Sequence, residues 1–169
     1  MRIAQVLLAD YDAEVRSTQR LFERLPAADK ATWKPHEKSM ELGKLAMHVA
    51  ALPGFGAMIL STQTLDTGQQ RPPSFPYEGA TQAAAIFSET SAKTRSILEA
   101  ISDEEMEQPW QLQFHDRVFF KGSRILAYRT MFFNHLVHHR AQLGVYLRLL
   151  NIPIPGLYGP SADEPINLG

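Results

Sequence analysis

The chain has 169 residues, of which 44% are hydrophobic and 21% are charged, a composition typical of a folded globular domain. Its formal net charge of −1 excludes the basic surface that non-specific nucleic-acid binding needs and gives no polybasic patch for an anionic membrane. The absence of cysteine excludes disulfides, thiolate metal ligands and cysteine nucleophiles. We therefore expect one domain over residues 1–169, in which any metal ion is held by His, Asp or Glu.

The sequence shows no sign of targeting or membrane insertion. No apolar run of signal-peptide type follows Met1, and no apolar stretch approaches the roughly 20 residues needed to cross a bilayer. We expect a cytoplasmic protein whose partners include neither nucleic acid nor a membrane.

The first half of the chain predicts two long helices. Apolar residues recur at helical spacing from Ile3 to Leu25, and Pro26 ends this segment. A connector over residues 27–38 leads to a second helix, which we expect to begin at Ser39, a good N-cap. Apolar residues continue past Pro53-Gly54, which predicts a kink in this helix and not its end.

The second half predicts two more helices with a short β-hairpin between them. A loop from Asp66 to Gly79 precedes the third helix, expected over Thr81 to Ile101. The hydrophobic period changes to two from Trp110 to Phe120, as in a hairpin. Ser123 then caps the last helix, which runs to about Leu150.

The tail, Asn151 to Gly169, is rich in proline and glycine, and we expect it to lie extended along the bundle or along a partner subunit. Four long helices with short connectors favour helix-on-helix packing. The sequence thus predicts an all-α four-helix bundle with a small β-hairpin before the last helix and an extended C-terminal tail.

The last helix carries a histidine pair at metal-binding spacing. His135 and His139 are four residues apart and lie on one helix face, one turn apart, where two imidazoles can share a metal ion. The general-base glutamate of the HExxH motif is missing, so the pair does not indicate a metalloprotease. His138 should point away from a site built by the other two.

His48 is the natural third ligand, because its helical neighbours Leu45 and Leu52 are apolar and predict that it faces the interior. Three imidazoles leave coordination positions open, as catalytic metal sites do. The alternative is that these histidines are hydrogen-bonded core residues. Gln142 and Tyr146, in the following turns, line the pocket or serve only in packing.

The sequence around these histidines resembles a known family. The segment His135–Leu143, with Tyr146-Leu147-Arg148 after it, is similar to the last-helix signature of the DinB-like (YfiT-like) family. The tail segment Pro153–Glu164 also resembles the tail of one DinB subgroup, and His48 matches the histidine of the family's second helix. The resemblance covers essentially the whole chain.

The resemblance implies an up-down-down-up four-helix bundle, often a homodimer. It implies one divalent zinc, nickel or iron ion held by His48, His135 and His139. It also implies a small-molecule enzyme, for which we expect S-transfer involving a low-molecular-weight thiol such as bacillithiol, mycothiol or glutathione. A metal-dependent hydrolase and a non-catalytic metal-binding stress-response protein remain as alternatives.

One segment departs from the family pattern. Many relatives place an acidic residue in the turns after the second-helix histidine, whereas here Leu52–Gly56 contains proline and glycine and no carboxylate. The ligand is retained, but this helix offers no general base.

Overall fold

A computed structural model of the chain describes residues 2–70 and 74–166. The long helices are α1 (Ile3–Phe22), α2 (Leu42–Ser61), α3 (Ala80–Ala100) and, further along, α6 (Asn134–Leu149). The shorter helical elements are a 3-10 turn (Ala28–Lys30), α4 (Asp103–Glu107), α5 (Arg124–Ala127) and a π-helical segment (Tyr128–Phe133). The strands are β1 (Thr64–Asp66), β2 (Pro109–Phe114) and β3 (Arg117–Ser123). The predicted all-α fold with a small sheet is confirmed.

The long helices form an up-down-down-up bundle in which α1 and α2 each pack against both α3 and α6. Helices α2 and α3 run parallel, as two hydrogen bonds between them show. The hydroxyl of Thr90 donates to the carbonyl oxygen of Ala50 (3.0 Å), and that of Thr94, one turn later, donates to the carbonyl oxygen of Pro53 (2.5 Å). Pro53 has no N–H, so the carbonyl oxygen of Val49, four residues earlier, loses its usual partner within the helix. Helix α2 nevertheless continues through Pro53, as predicted.

Helix α2 begins at Leu42, three residues after the expected cap at Ser39. The N–H of Leu42 donates to the carbonyl of Trp33 (2.8 Å), and that of Gly43 donates to the carbonyl of Ala31 (2.9 Å). Backbone carbonyls of the connector thus satisfy the first free N–H groups of the helix, and no side-chain cap is needed.

The expectation that no segment is apolar enough to cross a bilayer is wrong for helix α2. Among the helices of the described residues, α2 is the only one whose length and composition would suffice to cross a membrane. However, 67% of its 18-residue apolar window is buried inside the protein, between α3 and α6. Its composition is accounted for by this central position in the bundle.

The predicted hairpin is confirmed, with β2 and β3 antiparallel and His115 at the turn with φ of 51°. Strand β1, which was not predicted, adds to it in parallel, pairing Leu65 with Leu112. The result is a three-stranded sheet of order β1-β2-β3.

The last helical region begins as predicted, since the Ser123 hydroxyl accepts a hydrogen bond from the N–H of Leu126. It then departs from a regular α-helix, because residues Tyr128–Phe133 wind as a π-helical segment before α6. This segment contains neither proline nor glycine, and no pattern in the sequence predicts it.

The tail folds back onto the bundle of its own chain, with contacts as far as Glu164. Glu164 pairs with Arg20 of α1 and with Arg24, just after that helix, and Asp163 pairs with Arg148 of α6. The remaining part of the expected tail, residues 167–169, and residues 71–73 of the expected loop lie outside the described residues.

A buried ion pair lies beneath the tail, between α1 and α6. The guanidinium of Arg140 is 1% exposed and pairs with the carboxylate of Glu14, which is 8% exposed. The Tyr158 hydroxyl accepts from Arg140 (2.7 Å) and donates to Glu14 (2.8 Å), so the tail completes this network.

Candidate metal centre

Three histidine rings meet in the groove between α2 and α6. His48 of α2 faces His135 and His139 of α6, with ring centroids 5.0 and 4.5 Å away, and the two α6 rings are 4.5 Å apart. One nitrogen of each ring can be chosen so that all three lie within 4.8 Å of one another. Among the described residues, this is the only group of three or more His, Cys, Asp or Glu side chains so placed.

A close contact between the two helices supports this arrangement. Gly56 lies two turns beyond His48 on α2, against the ring of Phe132 in the π-helical segment. A Cβ atom at position 56 would be 2.8 Å from that ring, which is shorter than any ordinary contact. Glycine therefore lets the π-helical segment approach α2 just before His135.

Burial keeps the three imidazoles neutral at neutral pH. Loss of solvent, and next the nearby His139 and His135, lower the pKa of His48 to about 4. Burial is also the main cause that lowers the pKa of His135 and of His139. A neutral imidazole keeps a lone pair on one ring nitrogen, which is the form that binds a metal ion.

Hydrogen bonds to the outer nitrogens fix which nitrogen carries that lone pair. His135 Nδ1 lies 3.2 Å from the carbonyl oxygen of Met131, which can only accept, so Nδ1 carries the proton. His139 Nδ1 donates in the same way to the amide oxygen of Gln142 at 2.7 Å. In both rings Nε2 is therefore left free to coordinate a metal ion. Metal-ligating histidines usually donate their other ring N–H to an acceptor in this way.

The spacing and chemistry of these nitrogens fit a divalent transition metal. His48 Nε2 and His135 Nε2 are 3.2 Å apart, and two nitrogens on one tetrahedral zinc ion, each bound at about 2.05 Å, would be about 3.3 Å apart. The donor set holds no carboxylate, so a bound cation would keep its full charge and at least one open position. The three histidines therefore fit a divalent transition-metal ion.

The other predicted residues have different hydrogen-bond partners. Gln142 is exposed and positions His139, whereas the hydroxyl of Tyr146 donates to the carbonyl of Met40 at 3.2 Å. The Tyr146 ring packs edge-on against Trp33. His36, His115 and His138 are exposed and lie outside the cluster.

A cavity of about 320 Å³ opens beside His48, large enough for a small molecule. Its other lining residues come from α2, the residues before it and the segment before α3: Met40, Lys44, Met47, Ala51, Ser74 and Phe75. Sequence reasoning did not find Phe75, because it lies in a loop with no periodic pattern.

A larger cavity of about 470 Å³ lies away from the histidines, near Arg124. The guanidinium of Arg124 donates to the carbonyl oxygens of Ile59, Thr62 and Glu105, so its charge is already engaged by the backbone. The cavity beside His48 is therefore the better candidate for a reactive site.

The family model for the DinB family matches residues 2–167. The chain belongs to the DinB family. Its match spans almost the whole length of the chain, as the sequence resemblance implied. The site is thus that of a DinB protein in which three histidines could hold a metal ion.

Relatives of this DinB chain match it over most of its length. The uncharacterized protein YrdA from Bacillus subtilis (strain 168) is 25% identical over 164 residues, covering 96% of this chain and 92% of YrdA. The DinB-like protein YjoA from Bacillus subtilis superposes with a TM-score of 0.67 at 18% identity, covering 94% of this chain and 98% of YjoA. A DinB-like protein from Bacillus cereus ATCC 10987 gives a TM-score of 0.64 at 19% identity, covering 89% and 95% of the two chains. At these identities the solved structures establish a shared fold.

Proposed function

We propose that this protein is a metal-dependent enzyme that transfers a small group to or from a low-molecular-weight thiol. It binds one divalent zinc, nickel or iron ion through His48, His135 and His139. The observation that carries the proposal is the convergence of three neutral imidazoles, without a carboxylate, beside a cavity of about 320 Å³.

A bound divalent cation supplies a positive charge that favours a thiolate over a thiol at neutral pH. The chain's own residues prepare the site for that charge. Met131 and Gln142 hold the outer nitrogens of two rings and so orient their inner nitrogens toward one point. Because all three rings are partly buried, the surrounding side chains exclude much of the water that would otherwise screen the charge.

Elemental analysis of the purified protein is the first test. We expect about one divalent metal ion per chain in the wild type and its loss in the His48→Ala and His139→Ala variants. His138→Ala is the matched control, because His138 is an exposed histidine next to a ligand and should retain the metal. Retention of the metal in both ligand variants would contradict the assignment.

A panel of electrophiles, assayed with and without added bacillithiol, mycothiol or glutathione, tests the reaction. We expect turnover that requires both the thiol and His48. Turnover without any thiol would replace the transferase by a metal-dependent hydrolase, in which the cation lowers the pKa of water. Metal binding that stabilises the fold with no turnover at all would leave a non-catalytic metal-binding protein.

A further inference from the structure

A second cavity of about 420 Å³ lies between α2 and α3, and the proposed chemistry does not account for it. Small and apolar side chains form most of its wall: Ala51, Gly54, Phe55, Met58, Phe75 and Ile86. A cavity of this size and character binds a hydrocarbon group better than a sugar or a peptide, whose polar groups would lose their hydrogen bonds to water.

This cavity adjoins the one beside His48, since Ala51 and Phe75 line both. Ala51 lies one turn after His48 on α2, and Phe75 is 42% exposed although it is a large apolar residue. A molecule that reaches His48 through the first cavity can therefore extend an apolar group past Ala51 into the second.

Among the described residues, neither cavity has an uncompensated charge on its wall. Lys44, on the wall of the first cavity, pairs with Glu41 at 3.0 Å. The second cavity is lined by Glu89 and Lys93, which are opposite in sign, so this wall carries no net charge and suits a neutral group.

The α2 side of the second cavity includes Gly54 and Phe55. A Cβ atom at position 54 would lie 3.5 Å from Thr90 of α3, an ordinary contact, so a methyl group fits there whereas a larger side chain would enter the cavity. No carboxylate follows His48 in these turns of α2, so this side of the cavity is apolar.

We propose that this cavity binds the neutral apolar group, an alkyl chain or aryl ring, of the electrophile that the thiol attacks. That the occupant is the electrophile rests on the proposed function, whereas the binding of an apolar group does not. With a 1,2-epoxyalkane, the thiolate sulfur bonds to the terminal carbon, the carbon–oxygen bond breaks, and the oxygen takes a proton from water.

Binding is tested with 1-alkanols from butanol to octanol, titrated into ¹⁵N-labelled protein with and without added zinc. We expect the amide signals of Ala51, Gly54 and Phe55 to shift, with affinity rising about fourfold for each methylene. Ala51→Leu should weaken octanol binding at least about tenfold by filling the junction. Ala13→Leu, the same change at an exposed site of α1, should leave the affinity unchanged.

Phe75→Ala provides a second variant in a segment outside the helices, and it should also weaken octanol binding, because an apolar wall is lost. Signals that shift instead near Val145 and Leu149, beside the apolar cavity under the tail, would overturn the proposal. So would an affinity independent of chain length.

Turnover of 1,2-epoxyalkanes with the thiol separates this proposal from the proposed function. We expect kcat/KM to rise with chain length in the wild type and to lose that rise in Ala51→Leu. Thiol-dependent turnover that ignores chain length would overturn the assignment of the electrophile while leaving the function intact. Octanol binding at Ala51 without any turnover would refute the proposed function and retain the apolar site.

Discussion

At the scale of single residues, burial gives His48 two properties at once. Loss of solvent lowers its pKa to about 4 and so keeps its ring neutral. The Nε2 atom of His48 also faces the Nε2 atom of His135 at 3.2 Å. In the absence of solvent, this contact is favourable only when a proton or a cation lies between the two nitrogens. The fold therefore holds a ligand ready at a cost to the metal-free protein.

That cost should appear as a pH dependence of the metal-free protein. The unfolded chain protonates His48 near pH 6.5, whereas the folded chain does so only near pH 4. Between these values the unfolded state binds more protons, so the free energy of unfolding should fall as pH falls and level off below about pH 4. Urea midpoints at pH 7 and pH 5 measure this, and His48→Gln, which cannot titrate, should show a smaller drop. Equal drops in the two proteins would contradict it.

Gln142 should tune the metal site without touching the ion. Gln142→Met removes the oxygen that accepts from His139 Nδ1, and we expect zinc affinity to fall about 10- to 100-fold. Gln142→Glu keeps an acceptor at this place and should retain most of the affinity. Competition with a chromophoric chelator gives both values. A loss of similar size in both variants would show that His139 does not depend on this bond.

At the scale of elements, the sequence predicts the features of the site that depend on the spacing of residues within one helix. His135 and His139 could be paired because four residues bring side chains to one helix face. His48 lies 87 residues before His135, and its apolar neighbours predict only that it faces inward. Which helix it faces follows from the topology, which only the family resemblance supplied.

Elements could not be predicted where they depend on residues far away in the chain or where their own sequence has no periodic pattern. Strand β1 has three residues and exists because it pairs with β2, more than 40 residues away. The start of α2 depends on the carbonyls of Ala31 and Trp33, which become acceptors only once the connector has folded. The π-helical segment packs near Gly56 through Phe132 and leaves no pattern in the sequence.

Two glycines of α2 should respond in opposite ways to the same substitution. Gly54→Ala adds a methyl group at an ordinary contact distance of 3.5 Å and removes backbone freedom, so we expect a gain of about 0.5–1 kcal/mol in the free energy of unfolding. Gly56→Ala would bring Cβ within 2.8 Å of the Phe132 ring and should cost about 1–3 kcal/mol. Urea denaturation of both variants measures the difference. The same sign for both would contradict the packing described between α2 and the π-helical segment.

At the scale of the whole molecule, the tail and the buried pair join the first helix to the last. Arg140 reaches Glu14 of α1 and Tyr158 of the tail, while Asp163 and Glu164 hold the tail by exposed pairs. The two kinds of pair differ in energy, because an exposed pair is screened by water and a buried one is not.

Arg140→Met should therefore cost about 3–5 kcal/mol of unfolding free energy, since it leaves the Glu14 carboxylate buried without its cation. Asp163→Asn removes an exposed pair with Arg148 and should cost less than about 1 kcal/mol. Chemical denaturation distinguishes the two. Combining Arg140→Met with Glu14→Gln should recover part of the loss, and no recovery would assign the loss to packing.

The side-by-side position of α1 and α6 has a consequence for the order of synthesis. Glu14 and Arg140 are 126 residues apart, which a ribosome adding about 5–20 residues per second covers in roughly 6–25 seconds. Until then, α1 and α2 have emerged without the helix that covers them. His48 lies 87 residues before His135, so the nascent chain presents the complete histidine cluster only after the last helix has been made.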